Sequence, residues 1–151
     1  AEYRPNDTAL RQKLMNLYLK LKGYSEVRGV LQMLKRARKY KGYLSNGSHE
    51  MLDSAVENSS LCDVLDTCLA VNEVVLFEID PRIYKMTTDR FNYTPPEICF
   101  MSSNTWDTWA GSHLGFQVAW VNFFDRPPAH APGGLTAEIT TQEEIPPLLD
   151  L

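Results

Sequence analysis

Hydrophobic and polar positions alternate between helical and strand-like periods along the chain. Leu10, Leu14, Leu17 and Leu21 recur at i, i+4, i+7 and i+11, one apolar stripe of a helix that Asp7 or Thr8 can cap and Gly23 ends. A second helix is predicted from about Glu26 to Arg38, with Val27, Val30, Leu31 and Leu34 on one face. Residues 40–44 form a short strand feeding Ser45-Asn46-Gly47-Ser48, and a helix follows over about 49–58. Residues 68–71 read as the next strand. Pro81 suits the first turn of a helix capped by Asp80, with Ile83, Tyr84 and Met86 on its buried side. Pro95-Pro96 interrupts the chain ahead of residues 98–101, an apolar run short enough for a strand buried on both faces. A short helix and a second strand, 116–121, come next, with Gly111 allowing close packing and Gly115 a helix stop. A Pro- and Gly-rich loop (123–135), an edge strand (137–140) and a short closing helix (145–151) after Thr141 complete the chain. This alternation predicts an α/β fold with a parallel sheet.

The chemistry gathers at strand ends. Ser102, Ser103, Asn104 and Asp107 follow directly on the 98–101 run. Hydroxyl, amide and carboxylate groups therefore meet at the carboxyl end of a parallel strand, the edge at which open α/β sheets bind ligands. The Ser45–Ser48 corner has two readings. Its hydroxyls and the following helix N-terminus hold an anion, or it is a plain turn with Ser48 as N-cap. Residues 73–80 are unusual, because Val74-Val75-Leu76-Phe77 lies between Glu73 and Glu78, where a loop would be polar.

Composition narrows the functional classes. A chain of 151 residues with a formal charge of −4 lacks the basic face a nucleic-acid binder needs. The basic run at 35–39 is read as a solvated helix end whose cations complement the dipole. No apolar run reaches the ~18 residues of a membrane span, and the opening residues have no apolar signal region. Three cysteines, Cys62, Cys68 and Cys99, show no metal or redox spacing, so a reduced, cytoplasmic setting is expected. His49, His113 and His130 are read as surface or helix-end residues, Cys99 as inert packing, and Trp109 and Trp120 as core aromatics.

The corners Leu-Ser-Asn-Gly at 44–47 and Ser-Ser-Asn-Thr-Trp-Asp at 102–107, with Gly-Phe-Gln-Val-Ala-Trp-Val-Asn at 115–122, resemble the haloacid dehalogenase superfamily. The resemblance is to its L-2-haloacid dehalogenase branch and runs from about Leu10 to the C-terminus. It implies a Rossmann-like core with a parallel sheet (23–151) and the remnant of a helical cap (1–22). Family members displace halide from a 2-haloacid with an Asp carboxylate, and water hydrolyses the resulting ester. Carried over by motif, Asp107 would orient or activate that water, and Ser102 and Asn104 would position the carboxylates. Ser45 and Asn46 would contact the substrate carboxylate or the departing halide, and Trp106 would wall the pocket. Asn104 stands where phosphatase relatives usually carry an acid, so neither a magnesium site nor any other cofactor is expected.

The resemblance also has departures. The family's nucleophilic Asp lies on its first strand, and its halide-receiving Arg belongs to the same portion; no Asp here follows an apolar strand ahead of Leu10. The position of the family's active-site Lys is Glu78 in an ungapped alignment. Reversing a charge at ~4 Å in an effective dielectric near 20 is worth several kcal/mol. The first strand and most of the cap are therefore expected to be missing, and the chain to be inactive alone. Loss of a central strand would leave the strands ending at Ser45 and Ser102 with dry edge groups costing about 1–3 kcal/mol each. The two strands would then pair directly, or another chain would cover them. Residues 74–77 would be a new strand, an interface patch or local packing. The alternative to the hydrolase is a non-catalytic binding or interaction module, a homodimer covering its sheet edges, with a small anionic molecule as ligand and neither nucleic acid nor membrane as partner.

Overall fold

Among the described residues each strand pairs in parallel with its neighbour, and a helix fills two of the crossovers. The computed structural model describes residues 7–71, 80–128 and 134–151. The 74–77 run, Glu78 and His130 lie outside the described residues. The chain divides into two compact units, Ala1–Ala70 and Val71–Leu151.

In the first unit, helix α1 (Thr8–Tyr18) starts where the Asp7 carboxylate accepts the Leu10 N–H at 3.0 Å. It stops at Leu19 rather than running to Gly23, because the Lys20 N–H turns back onto the Leu17 carbonyl. None of its residues is buried, and Leu10, Leu14 and Leu17 are about half exposed. Helix α2 (Val27–Arg36) buries Val30 and Leu34 and ends on the exposed cations Lys35 and Arg36. Strand β1 (Gly42–Ser45), helix α3 (His49–Asn58) and strand β2 (Thr67–Ala70) form a right-sized crossover unit. Strands β1 and β2 run in register from Gly42↔Thr67 to Ser45↔Ala70. Helix α3, which buries Leu52 and Val56, lies against β2.

A buried lysine clamps the entry to this pair. Lys41, one residue before β1, is 7% exposed. Its Nζ donates to Asp66 Oδ2 at 2.6 Å and to the Lys39 carbonyl at 2.8 Å, and its N–H donates to the same Asp66 oxygen at 2.8 Å. The Asp66 N–H returns a bond to the Lys41 carbonyl. Burial opposes ionisation of Asp66, but the Lys41 hydrogen bonds and charge outweigh it and hold the carboxyl below the usual range.

In the second unit, helix α4 (Pro81–Phe91) is capped by Asp80, which accepts the Arg82 N–H at 3.0 Å. Hydrogen bonds from Arg82 hold the Asp80 carboxyl down at about 2. Strands β3 (Cys99–Ser102), β4 (Gln117–Val121) and β5 (Ala137–Ile139) form a sheet in that order, with helix α5 (Thr105–His113) crossing between β3 and β4. The short helix α6 (Ile145–Leu148) closes the unit after a turn in which the Thr141 hydroxyl accepts the Glu143 N–H. Tyr84, Ala110, Phe116 and Val118 make its core, with Phe100 and Leu114 packed around them. The Tyr84 ring meets Phe100 edge-on at 5.4 Å. Helix α5 approaches β3 closely at Gly111, where a Cβ would lie 2.9 Å from Phe100 Cδ1. Gly115, at φ +88°, reverses the chain out of α5 into β4.

Two expectations are corrected here. Strand β3 is half-buried rather than buried on both faces, and Met101 is exposed. Among the described residues β3 is hydrogen-bonded only to β4. Trp109 is not a core residue. It is 48% exposed, because α5 turns Thr105, Thr108 and Gly111 inward and Trp106, Trp109 and His113 outward. Trp120, by contrast, is buried as expected.

Replacing Asp66 by Ala strands a buried ammonium, and unfolding in urea should show a loss of about 2–3 kcal/mol at neutral pH, discounted for the partial exposure of Asp66. Because the Asp66 pKa is depressed, its stabilisation is present above the ordinary carboxylate pKa and lost as pH falls through the folded value. The gap between parent and variant should therefore narrow below about pH 4. Gly111→Ala gains up to ~1 kcal/mol of helix propensity but forces Cβ into the Phe100 ring. Overpacking costs about 1–3 kcal/mol, so a net drop in the urea midpoint is expected.

Candidate functional site

The two polar corners are built the same way. In each, a parallel strand ends on a serine whose Oγ accepts the N–H two residues on. Ser45 accepts from Gly47 at 3.1 Å, and Ser102 accepts from Asn104 at 3.0 Å. This local turn satisfies a backbone donor where the ladder stops and directs the chain into a helix. In the first unit the helix is α3, and Ser48 caps it by accepting the Met51 N–H. Ser45 is partly buried and Asn46 exposed. Here the structure supports the plain-turn reading of Ser48.

In the second unit the corner carries a carboxylate. Asp107 is the third residue of α5 and only 3% exposed. Its Oδ2 accepts from the Ser102 hydroxyl at 2.9 Å and from the Asn104 side-chain amide at 3.2 Å. Its Oδ1 is buried without a hydrogen-bond partner among the described residues. Burying a carboxylate is costly unless donors hold it, and here two neutral donors and the positive end of a helix do so. One oxygen is thus fixed and the other remains an acceptor. Ser102, Asn104 and Asp107, selected together from the sequence, meet in one hydrogen-bonded group. Trp106, expected to wall a pocket, is 45% exposed on the outer side of α5.

Sequence reasoning missed one partner of this corner. The buried Trp120 indole N–H donates to the Ser103 carbonyl at 3.2 Å. The β3–β4 register, which pairs Ser102 with Trp120, is what brings them together. That register is a property of the sheet and has no local sequence signal. His113 stacks on Trp109 at 5.5 Å and is exposed at the end of α5, as read. Burial pushes the Cys99 thiol up, consistent with an inert packing role. Among the described residues no group of three His, Cys, Asp or Glu side chains clusters as a metal site, and no helix is long and apolar enough to cross a membrane.

No protein-family profile matches the chain. Individual relatives do. The chain is 36% identical over 140 residues to (S)-2-haloacid dehalogenase 4A of Burkholderia cepacia, a match covering 93% of this chain and 61% of that protein. Among solved structures, a dehalogenase crystallised as an intermediate complex superposes with a TM-score of 0.88 at 35% identity, over 97% of this chain and 65% of that one. A solved L-2-haloacid dehalogenase superposes with a TM-score of 0.89 at 27% identity, again over 97% and 65%. The chain thus spans about three fifths of the length of the curated relatives it matches. Over these 151 residues the chain has the parallel α/β architecture of the haloacid dehalogenase core and belongs to that superfamily, its relatives lying in the L-2-haloacid dehalogenase branch.

Proposed function

We propose that Ser102, Asn104 and Asp107 form the water-handling part of a hydrolase site of the 2-haloacid dehalogenase type. The observation that carries this reading is the asymmetric Asp107 carboxylate, with Oδ2 held by two donors and Oδ1 buried without a partner. In the reaction proposed, a second carboxylate displaces halide from C2 of the substrate and forms an ester. Asp107 Oδ1 takes a proton from water, and the water oxygen attacks the carbonyl carbon of that ester. The acyl C–O bond breaks, the proton on Asp107 passes to the departing alkoxide, and a 2-hydroxy acid leaves. The second carboxyl gives the water's other proton to solvent and is a carboxylate again. The donors on Oδ2 keep the base aimed while its charge changes.

The attacking carboxylate is the part these residues do not supply in recognisable form. No Asp follows an apolar strand ahead of Leu10, and Glu78 occupies the position the resemblance gives to Lys. The 151 residues are therefore proposed to be silent alone and to need a second carboxylate from another polypeptide segment. Glu78, at the position the resemblance gives to Lys, favours a second reading, a non-catalytic binding or interaction module that no longer turns over.

Halide release from (S)-2-chloropropanoate, with Asp107→Asn as comparison, separates these readings. No release above the uncatalysed rate is expected from the 151-residue chain. Release that Asp107→Asn lowers by about 10²-fold or more, the scale of general base catalysis, would show the site to be complete and overturn the proposed silence. Release indifferent to Asp107→Asn would overturn the role of Asp107. In the silent case, millimolar L-lactate should shift the side-chain amide resonance of Asn104, and an unmoved resonance would sink the reading of this corner as a substrate site.

A further inference from the structure

The Ser102–Asn104 turn is exposed at two of its three residues, yet the Asp107 group needs it in one conformation. The side-chain hydrogen bonds described within it are local. Ser102 Oγ takes the Asn104 N–H, and Ser102 and Asn104 both donate to Asp107. Ser102 is held in the β3–β4 ladder, but Ser103 and Asn104 lie beyond it, and these local bonds order the two without a further tie to the sheet. One side-chain bond reaches the turn from another strand. The Trp120 indole, 4% exposed on β4, donates its N–H to the Ser103 carbonyl at 3.2 Å. Ser103 sits between the two donors, and its carbonyl is tied to a ring buried in the sheet. Bulky indole packing and a directed N–H thus act at the hinge of the turn.

We infer that Trp120 is a positioning residue for the Asp107 group, acting through the Ser103 carbonyl. It touches neither Asp107 nor the reacting atoms. It sets the tilt at which Ser102 and Asn104 present their donors. The inference rests on the reading of Ser102, Asn104 and Asp107 as the working corner. Its test reads the order of the turn rather than turnover, so a silent chain still decides it.

The experiment is amide hydrogen exchange by NMR on the full 151-residue chain in three forms: the parent, Trp120→Phe, and a chain with β-(3-benzothienyl)alanine at position 120. The last keeps the bicyclic ring and replaces the N–H by sulfur. A net hydrogen bond of ~1.4 kcal/mol corresponds to a factor of ten. The Asn104 backbone amide should therefore exchange about tenfold faster in both altered forms, and the Asn104 side-chain amide resonance should move toward its free position. In the benzothienyl form the Val118, Ala119 and Val121 amides of β4 should keep their parent rates, since the ring still fills its place. Parent-like exchange at Asn104 in the benzothienyl form would overturn the inference. So would equal acceleration throughout β4 in that form, which would mark Trp120 as general packing. If Trp120→Phe fails to fold, the benzothienyl form alone gives the answer.

Discussion

The second unit is organised around a single acceptor, the Oδ2 of Asp107. Two donors converge on it, one from the last residue of β3, Ser102, and one from Asn104 in the turn that follows. That arrangement solves a general problem. Asp107 is 3% exposed, and a buried carboxylate is costly unless donors hold it. Two neutral donors and a helix N-terminus stabilise the charge without cancelling it.

The parallel sheets explain why such a group forms where it does. At the carboxyl end of a parallel strand the ladder stops and the chain must turn away within a few residues. Serine makes this turn in both units by capturing the N–H two residues ahead. The turn then delivers the chain to a helix start, where anionic groups are favoured. Ser45 and Ser102 are thus equivalent in local design, and only the second unit adds an acid at the third helical position. The chemical difference between the two corners comes from what the helix brings: Met51 in α3 and Asp107 in α5.

Much of this was legible along the chain because its signals are local. Ser48 placed the start of α3, and Asp80-Pro81 placed that of α4, since an N-cap and an N1 proline act within one helical turn. Gly111 and Gly115 announced a close approach and a left-handed residue, and the structure has both. The grouping of Ser102, Asn104 and Asp107 was readable for the same reason, as its three members span six residues. Features decided by neighbours distant in sequence were not readable. The leucine stripe promised an early helix extending to Gly23, but none of α1 is buried, so nothing beyond its own backbone prolongs it past Tyr18. The apolar run at 98–101 looked doubly buried, although hydrophobicity reports a preference for cover and not its presence. Trp109 was assigned to the core by residue type, and its helical phase puts it outside. The ammonium of Lys41 went unnoticed because its partner Asp66 lies 25 positions on, just ahead of the neighbouring strand β2.

The contact at Gly111 has a further meaning. Helix α5 is held at its distance from β3 by an aromatic ring touching bare backbone, so Phe100 works as a spacer behind the helix. Asp107 sits one turn away on the same rigid rod. A change in ring size or tilt at Phe100, or in Tyr84 and Phe116 that brace it, would slide the whole rod and carry the carboxylate with it. Fine adjustment of the polar group is therefore open to apolar substitutions that never come near a charge.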